Sequence, residues 1–187
     1  EDFNSLLEIA RSEDLKIIIS NTTEAGIAFV EDDNFNDTPP SSYPAKLTRF
    51  LYERFSHFNG SDESVLYLLP VELIENNGNE LKKCVKQYAE LWELGKEFAL
   101  WIDKCSFSNT LVDRIVTGYP KKDVDEFYNK LGYTDPLLDT AEPFFFWAIE
   151  EKEGLNEIFP ADKSGLGAVF CPDISGYKMR KVRILNG

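Results

Sequence analysis

The sequence predicts an α/β fold: a mostly parallel sheet with flanking helices. Three observations lead there. Short β-branched apolar runs recur along the chain, as in LKIIIS (15–20) and SVLYLLP (64–70), the pattern of strands buried on both faces. Stretches of helical periodicity stand between those runs, and this alternation marks α/β architecture. Apolar residues make up 43 % of the 187, enough for one domain with a sizeable core.

The elements follow in order. FNSLLEIAR (3–11) has helical spacing, and the strand 15–20 runs directly into the polar turn NTTEAGIAF with its Gly26. After the loop DDNFNDTPPSS comes a helix over 43–55, with Pro44 in the first turn, where its missing N–H costs nothing. The strand 64–70 is followed by an amphipathic helix starting near Asn79 and a further helix over about 96–104. VDRIVT (112–117) and FFFWAIE (144–150) read as strands, and between them KKDVDEFYNKLGY reads as a helix ended by Gly132. A short extended piece lies near Val169, and helical character resumes from Ser175.

A formal net charge of −13 argues against nucleic acid or an anionic membrane as a partner, since both require clustered cations. The exception is the basic cluster Lys178, Arg180, Lys181 and Arg183 near the end. Cys84, Cys105 and Cys171 are odd in number and far apart, so they predict buried free thiols in a reducing cytoplasm rather than disulfides or a zinc cage. With His57 the sole histidine, no metal motif is present. No stretch is long and apolar enough to span a bilayer, and the start lacks the form of a signal peptide. The first residue is not Met, which reads as a processed or truncated start.

In open α/β sheets ligands bind beyond the carboxyl ends of the strands. After the first strand stand Ser20, Asn21, Thr22, Thr23, Glu24 and Gly26, read either as a capped turn or as ligand contacts. After the second stand Glu72, Glu75, Asn76 and Asn77, read either as a helix-capping loop or as ligand contacts. Asp113 and Arg114 interrupt an apolar run. Buried charges need partners, so either a structural ion pair or a substrate clamp is expected. Near the end, Met179, Val182 and Leu185 would form an apolar helical stripe. Lys181 and Asn186 would stand about 140° apart on a helix and so share no face. A lysine with its ordinary pKa of about 10.4 is a poor proton donor–acceptor at neutral pH. Nearby positive charge and burial lower that value into a useful range.

Neither GxGxxG nor GxxxxGK[ST] is present, so any phosphate-cradling glycine loop would lie outside these residues. The words IIISNTTEAGIAF, LLPVELIENNG, NTLVDRIVTGYP, AEPFFFWAIE and KVRILNG occur in one order. In that order the chain resembles, over nearly its whole length, the polyol-specific long-chain dehydrogenases of the mannitol dehydrogenase group. PVELIENNG and VDRIVTGYP resemble the hexuronate branch more than the mannitol branch. The resemblance implies a Rossmann-like NAD-binding domain and a mainly helical catalytic domain, with the active site between them. It implies metal-free hydride transfer between a ketone and a secondary alcohol, with NAD as cofactor and a sugar acid as substrate. Residues 1–172 would then be part of the NAD-binding domain, without its first strand and glycine loop. Residues 173–187 would begin the catalytic domain.

The family's motif is a lysine, an asparagine five residues on, and a histidine three further. Lys181 matches the general acid/base and Asn186 the oxyanion donor; the histidine would fall beyond Gly187. Read with the resemblance, Asn21, Thr22, Thr23, Glu24 and Gly26 are expected at the cofactor, and Glu72 and Lys178 at the substrate; Asp113 and Arg114 are expected there too, as the clamp their charges in an apolar run suggest. Two departures stand out. Pro70, Val71 and Glu72 replace the Cys-Asp/Glu-Asn word of mannitol-type members, and Lys178 replaces a glutamate. A cation there suits a uronate carboxylate. Activity on fructuronate or mannitol is the alternative within the group, and a non-catalytic sugar-binding module is the alternative outside it.

Overall fold

The computed structural model describes residues 2–179. The expectations for Arg180, Lys181, Val182, Arg183, Leu185 and Asn186 therefore lie outside the described residues. The first half contains α1 (Phe3–Ile9), β1 (Ile17–Ser20), α2 (Tyr43–His57), β2 (Tyr67–Pro70), α3 (Asn77–Leu91) and α4 (Lys96–Lys104). The second half contains β3 (Ser106–Phe107), β4 (Thr110–Asp113), β5 (Val116–Gly118), α5 (Val124–Leu131), β6 (Thr140–Ala141), β7 (Phe146–Glu150), α6 (Leu155–Ile158) and β8 (Ala168–Cys171).

β1, β2 and β3 form a parallel sheet in that order. A second sheet has the order β4-β7-β8; β7 runs antiparallel to β4 and parallel to β8. Only Ser108 and Asn109 separate β3 from β4. Ser108 N–H donates to the Leu68 carbonyl on one side, and Glu150 N–H donates to the Asn109 carbonyl on the other. The two sheets are thus joined through this kink, and the antiparallel β4–β7 pair is the departure from a parallel arrangement.

Strand alternation sorts the core. From β2, Leu68 faces the helices, where Leu47, Phe50 and Leu51 of α2, Leu81 and Val85 of α3, and Phe98, Trp101 and Ile102 of α4 close the main core. The i, i+3, i+4 spacing of these residues puts each set on one stripe of its helix. Leu69, next along β2, joins Ile149 and Leu155 on the opposite face. In β7, Ile149 faces that cluster, while Ala148 packs with Cys171 and Ile174. Cys84, Cys105 and Cys171 are free and buried. Burial pushes all three thiols up, Cys105 to about 11, so they stay protonated and unreactive.

The strand expected over 112–117 is two strands. β4 leaves the sheet at Asp113, and β5 pairs with β6 in a separate antiparallel hairpin. This corrects the expectation of a buried Asp113–Arg114 charge pair. Asp113 is half-buried at the end of β4, and Arg114 is exposed in the link to the hairpin. Arg114 Nε donates to the Glu142 carbonyl at 3.2 Å, and its guanidinium lies 5.5 Å from the Phe145 ring. The apolar run continues because it becomes an exposed hairpin, not because it stays in the core.

Candidate functional site at the carboxyl ends of β1 and β2

β1 and β2 are parallel and in register, with Ser20 opposite Pro70, so both chains leave the sheet at the same level. Beyond β2 the carboxylate of Glu72 folds back under the turn that follows β1. Glu72 is only 3 % exposed. Its Oε2 accepts from Ser20 Oγ at 3.2 Å, and its Oε1 accepts from Thr22 N–H at 3.1 Å and from Thr22 Oγ1 at 2.9 Å. A buried carboxylate is tolerated only with such donors around it. Gly26 closes the turn. Its N–H donates to the Thr23 carbonyl at 2.9 Å, and a Cβ at position 26 would stand 1.9 Å from Thr22 Oγ1. Asn21, Thr22, Thr23 and Glu24 are exposed around the resulting mouth. The Tyr43 hydroxyl is buried nearby without a hydrogen-bond partner and is pushed up to about 12: burial dominates, the neighbouring Ser20 hydroxyl opposes it in part, and the Glu72 charge adds to it.

The same region is tied to β4 through Asn77, which is 1 % exposed. Its Nδ2 donates to the carbonyls of Pro70, Glu72 and Thr110 at 2.9, 3.0 and 3.2 Å. Its Oδ1 accepts from Gly78 and Thr110 N–H, each at 2.9 Å. Asn109 Oδ1 accepts from Asn79 N–H at 3.1 Å. These amides take up N–H groups that a helix start leaves free. Of the two sequence readings, Asn77 fulfils the capping one. Asn76 stands in the left-handed region with φ 52° and its side chain makes no cap hydrogen bond.

Next to Glu72 lies a cavity of about 330 Å³ lined by Glu72, Leu73, Ile74, Glu75, Thr110, Leu111, Val112 and Lys178. Lys178 Nζ donates to Asn76 Oδ1 at 2.9 Å and lies 3.9 Å from Glu75 Oε1. Two residues expected at the substrate, Glu72 and Lys178, thus share one cavity, with Lys178 brought there from about a hundred residues away. Asp113 follows the lining residue Val112, whereas Arg114 turns toward Glu142 and Phe145. Sequence reasoning did not single out Asn109 and Thr110. The available signal was a polar Ser-Asn-Thr run interrupting an apolar strand.

Asn21, Thr23 and Glu24 present an exposed amide, hydroxyl and carboxylate on the turn that Glu72 ties down, groups of the kind that bind the amide and ribose of a nicotinamide nucleotide. Nothing among the described residues provides the glycine loop that would cradle its diphosphate.

Residues 2–159 match the family described as the mannitol dehydrogenase Rossmann domain. An altronate oxidoreductase of Enterobacter sp. (strain 638) is 47 % identical over 186 residues, covering 99 % of this chain and 38 % of the relative. One of Escherichia coli O7:K1 (strain IAI39 / ExPEC) is 46 % identical over 187 residues, covering 100 % of this chain and 39 % of the relative. One of Yersinia pestis is 48 % identical over 186 residues, covering 99 % and 38 %. The chain therefore spans 38–39 % of the length of these curated relatives. Among solved structures, substrate-free D-sorbitol dehydrogenase superposes with a TM-score of 0.77 at 22 % identity, covering 98 % of this chain and 39 % of that one. Pseudomonas fluorescens mannitol 2-dehydrogenase, in a ternary complex with NAD and D-mannitol, gives 0.69 at 19 % identity, covering 96 % and 37 %. Both likenesses establish the fold.

Proposed function

The chain belongs to the mannitol dehydrogenase Rossmann-domain family, and from that premise we propose that it is part of an NAD-dependent reductase converting D-tagaturonate to D-altronate. One observation carries the reading: identity of 46–48 % to altronate oxidoreductases is held over 99–100 % of the chain. Lys178 in the cavity wall, beside Glu72 and Glu75, is the cation that a sugar acid's carboxylate would need there.

In this reading residues 1–172 belong to the nucleotide-binding domain, and residues 173–187 begin the catalytic one. When bound, NADH supplies the hydride. Asn21, Thr22, Thr23 and Glu24, on a turn closed by Gly26, would hold its nicotinamide end. Lys181 gives a proton to the ketone oxygen as the secondary alcohol forms, and Asn186 donates a hydrogen bond to that oxygen while its charge develops. Lys178 meets the substrate carboxylate. Glu72 lies in the cavity wall; Asp113, next to the lining residue Val112, is a further candidate contact for a sugar hydroxyl, and Arg114 would join it only by leaving Glu142 and Phe145. A cytoplasmic setting agrees with three buried free thiols.

The test is NADH oxidation by the full-length protein that contains this chain, offered tagaturonate, fructuronate and fructose. Tagaturonate should be the best substrate. Lys181→Ala should lower kcat by about 10²–10⁴-fold, the range of general acid–base catalysis. Lys178→Ala should raise KM for tagaturonate about tenfold, while fructose is affected far less. An enzyme that turns over none of the three would sink the reading. An unchanged tagaturonate KM in Lys178→Ala would remove the carboxylate role alone.

A further inference from the structure

We infer that Glu72 is a positioning residue: it acts through Thr22, sets the shape of the turn at residues 21–26, and thereby sets affinity for the nicotinamide cofactor. The second half of this statement rests on the function proposed above; the first half rests on geometry alone.

Glu72 reaches the turn from a different strand, fifty residues away in sequence. One of its oxygens takes both donors of Thr22, the backbone N–H at 3.1 Å and the hydroxyl at 2.9 Å. The other takes Ser20 Oγ at 3.2 Å. The two Thr22 bonds fix the backbone and the side-chain rotamer together. The Thr22 hydroxyl is then the atom over which the chain folds, since position 26 has no room for a Cβ beside it. Glu72, Thr22 and Gly26 thus form one stack, from a buried carboxylate through a hydroxyl to a glycine. Asn21, Thr23 and Glu24 are exposed around it and project from a frame that this stack holds.

The alternative role for Glu72 is direct contact with substrate. Its burial disfavours that, and each oxygen already accepts from the turn, Oε1 from Thr22 and Oε2 from Ser20. The carboxylate is bonded to the turn, and Glu72 also lines the cavity. Removing it would leave the Thr22 N–H and two hydroxyls without their acceptor at the base of the turn.

The experiment has two arms. In the 187-residue chain, amide hydrogen exchange at Thr22 should be fast in Glu72→Ala and slow in the parent. Glu72→Gln should recover most of the protection, since its carbonyl oxygen can still accept from Thr22 and its amide can donate to Ser20. In the full-length protein, Glu72→Ala should raise KM for NADH by about tenfold or more, with kcat within a few-fold of the parent. Thr22→Val, which keeps the shape and removes only the hydroxyl, should shift KM the same way by less. If Glu72→Ala is too unstable to assay, Thr22→Val decides through cofactor affinity: a KM for NADH unmoved in that variant would overturn the role. Parent-like exchange at Thr22 in Glu72→Ala would overturn the positioning role. A fall in kcat with KM for NADH unmoved would also overturn it, and would place Glu72 at the reacting centre. If the parent enzyme oxidises no NADH with any keto sugar, the proposed function fails, while the exchange result still tests whether Glu72 shapes the turn.

Discussion

At the scale of single residues, Asp33 shows how one carboxylate can order a long connection. The segment between β1 and α2 has no regular structure, yet Asp33 is 5 % exposed. Its Oδ1 accepts from Ser41 N–H at 2.6 Å, and its Oδ2 accepts from Ser42 N–H at 3.1 Å and the Tyr88 hydroxyl at 3.0 Å. Burial alone would raise its pKa, but the hydrogen bonds from Ser42 and Ser41 prevail and hold it at about 2, against 3.8 unfolded. The folded protein therefore binds this proton less readily than the unfolded chain. Its contribution is complete above the unfolded value and is lost as the pH falls from about 4 through 2. The difference corresponds to roughly 2 kcal/mol. Asp33→Asn should lower stability in urea by about that much at pH 7, and the gap to the parent should narrow toward pH 2. Equal gaps at both pH values would show that the charge is not what matters. Nothing local in EDDNFND distinguishes Asp33 from Asp32. Its role depends on Ser41 and Ser42, eight and nine residues on, and on Tyr88 from a distant helix.

At the scale of elements, the helices were legible and their ends were not. Periodicity located α2, α3 and α4 because each has a single apolar stripe. The start of α3 near Asn79 was missed by two residues because its caps are tertiary: Asn109 arrives from the kink between β3 and β4, and Asn77 bonds across to Thr110. The same contact explains Gly78. A Cβ there would stand 2.5 Å from the Ser108 carbonyl oxygen and 2.8 Å from Asn109 N. These are backbone atoms in the strand that joins the two sheets, and they cannot swing aside. Gly78→Ala should therefore destabilise by about 1–3 kcal/mol, the usual range for overpacking, although alanine is the better helix former by about 1 kcal/mol. Urea unfolding checks this: the midpoint should fall with the slope unchanged. A more stable variant would show that α3 packs less tightly on the strand than these distances indicate. The strand expected over 112–117 failed for a related reason. A β-branched run specifies extended backbone, but it does not say which sheet the backbone joins.

At the scale of the whole molecule, stability is unevenly distributed. The cores gather residues from α1 to β3 and from β7 to residue 177, whereas the excursion over residues 114–145 contributes no fully buried residue. α5 has none, and Leu131, Tyr133, Leu137 and Phe144 are exposed. The sequence showed a helix and strands here but could not show that they lack a core, since amphipathic spacing looks the same whether or not a partner surface meets it. A segment held by a short hairpin and few buried contacts should open with a much smaller free energy than the sheets that flank it. This gives a prediction for proteolysis. Lys121 and Lys122 are exposed just before α5, and Lys130 is exposed within it. Lys82 and Lys86, by contrast, sit on α3, which is anchored by Leu81 and Val85 in the main core. Limited trypsin treatment should cut among the described residues first at Lys121, Lys122 or Lys130, as read by mass spectrometry. The two fragments should stay associated, because β4 pairs with β7 across the cut along four residue pairs and Leu69 of β2 packs on Ile149 of β7. Early cutting within α3 at a similar rate would mean that the excursion is held as firmly as the core, with its stability coming from contacts other than buried apolar side chains.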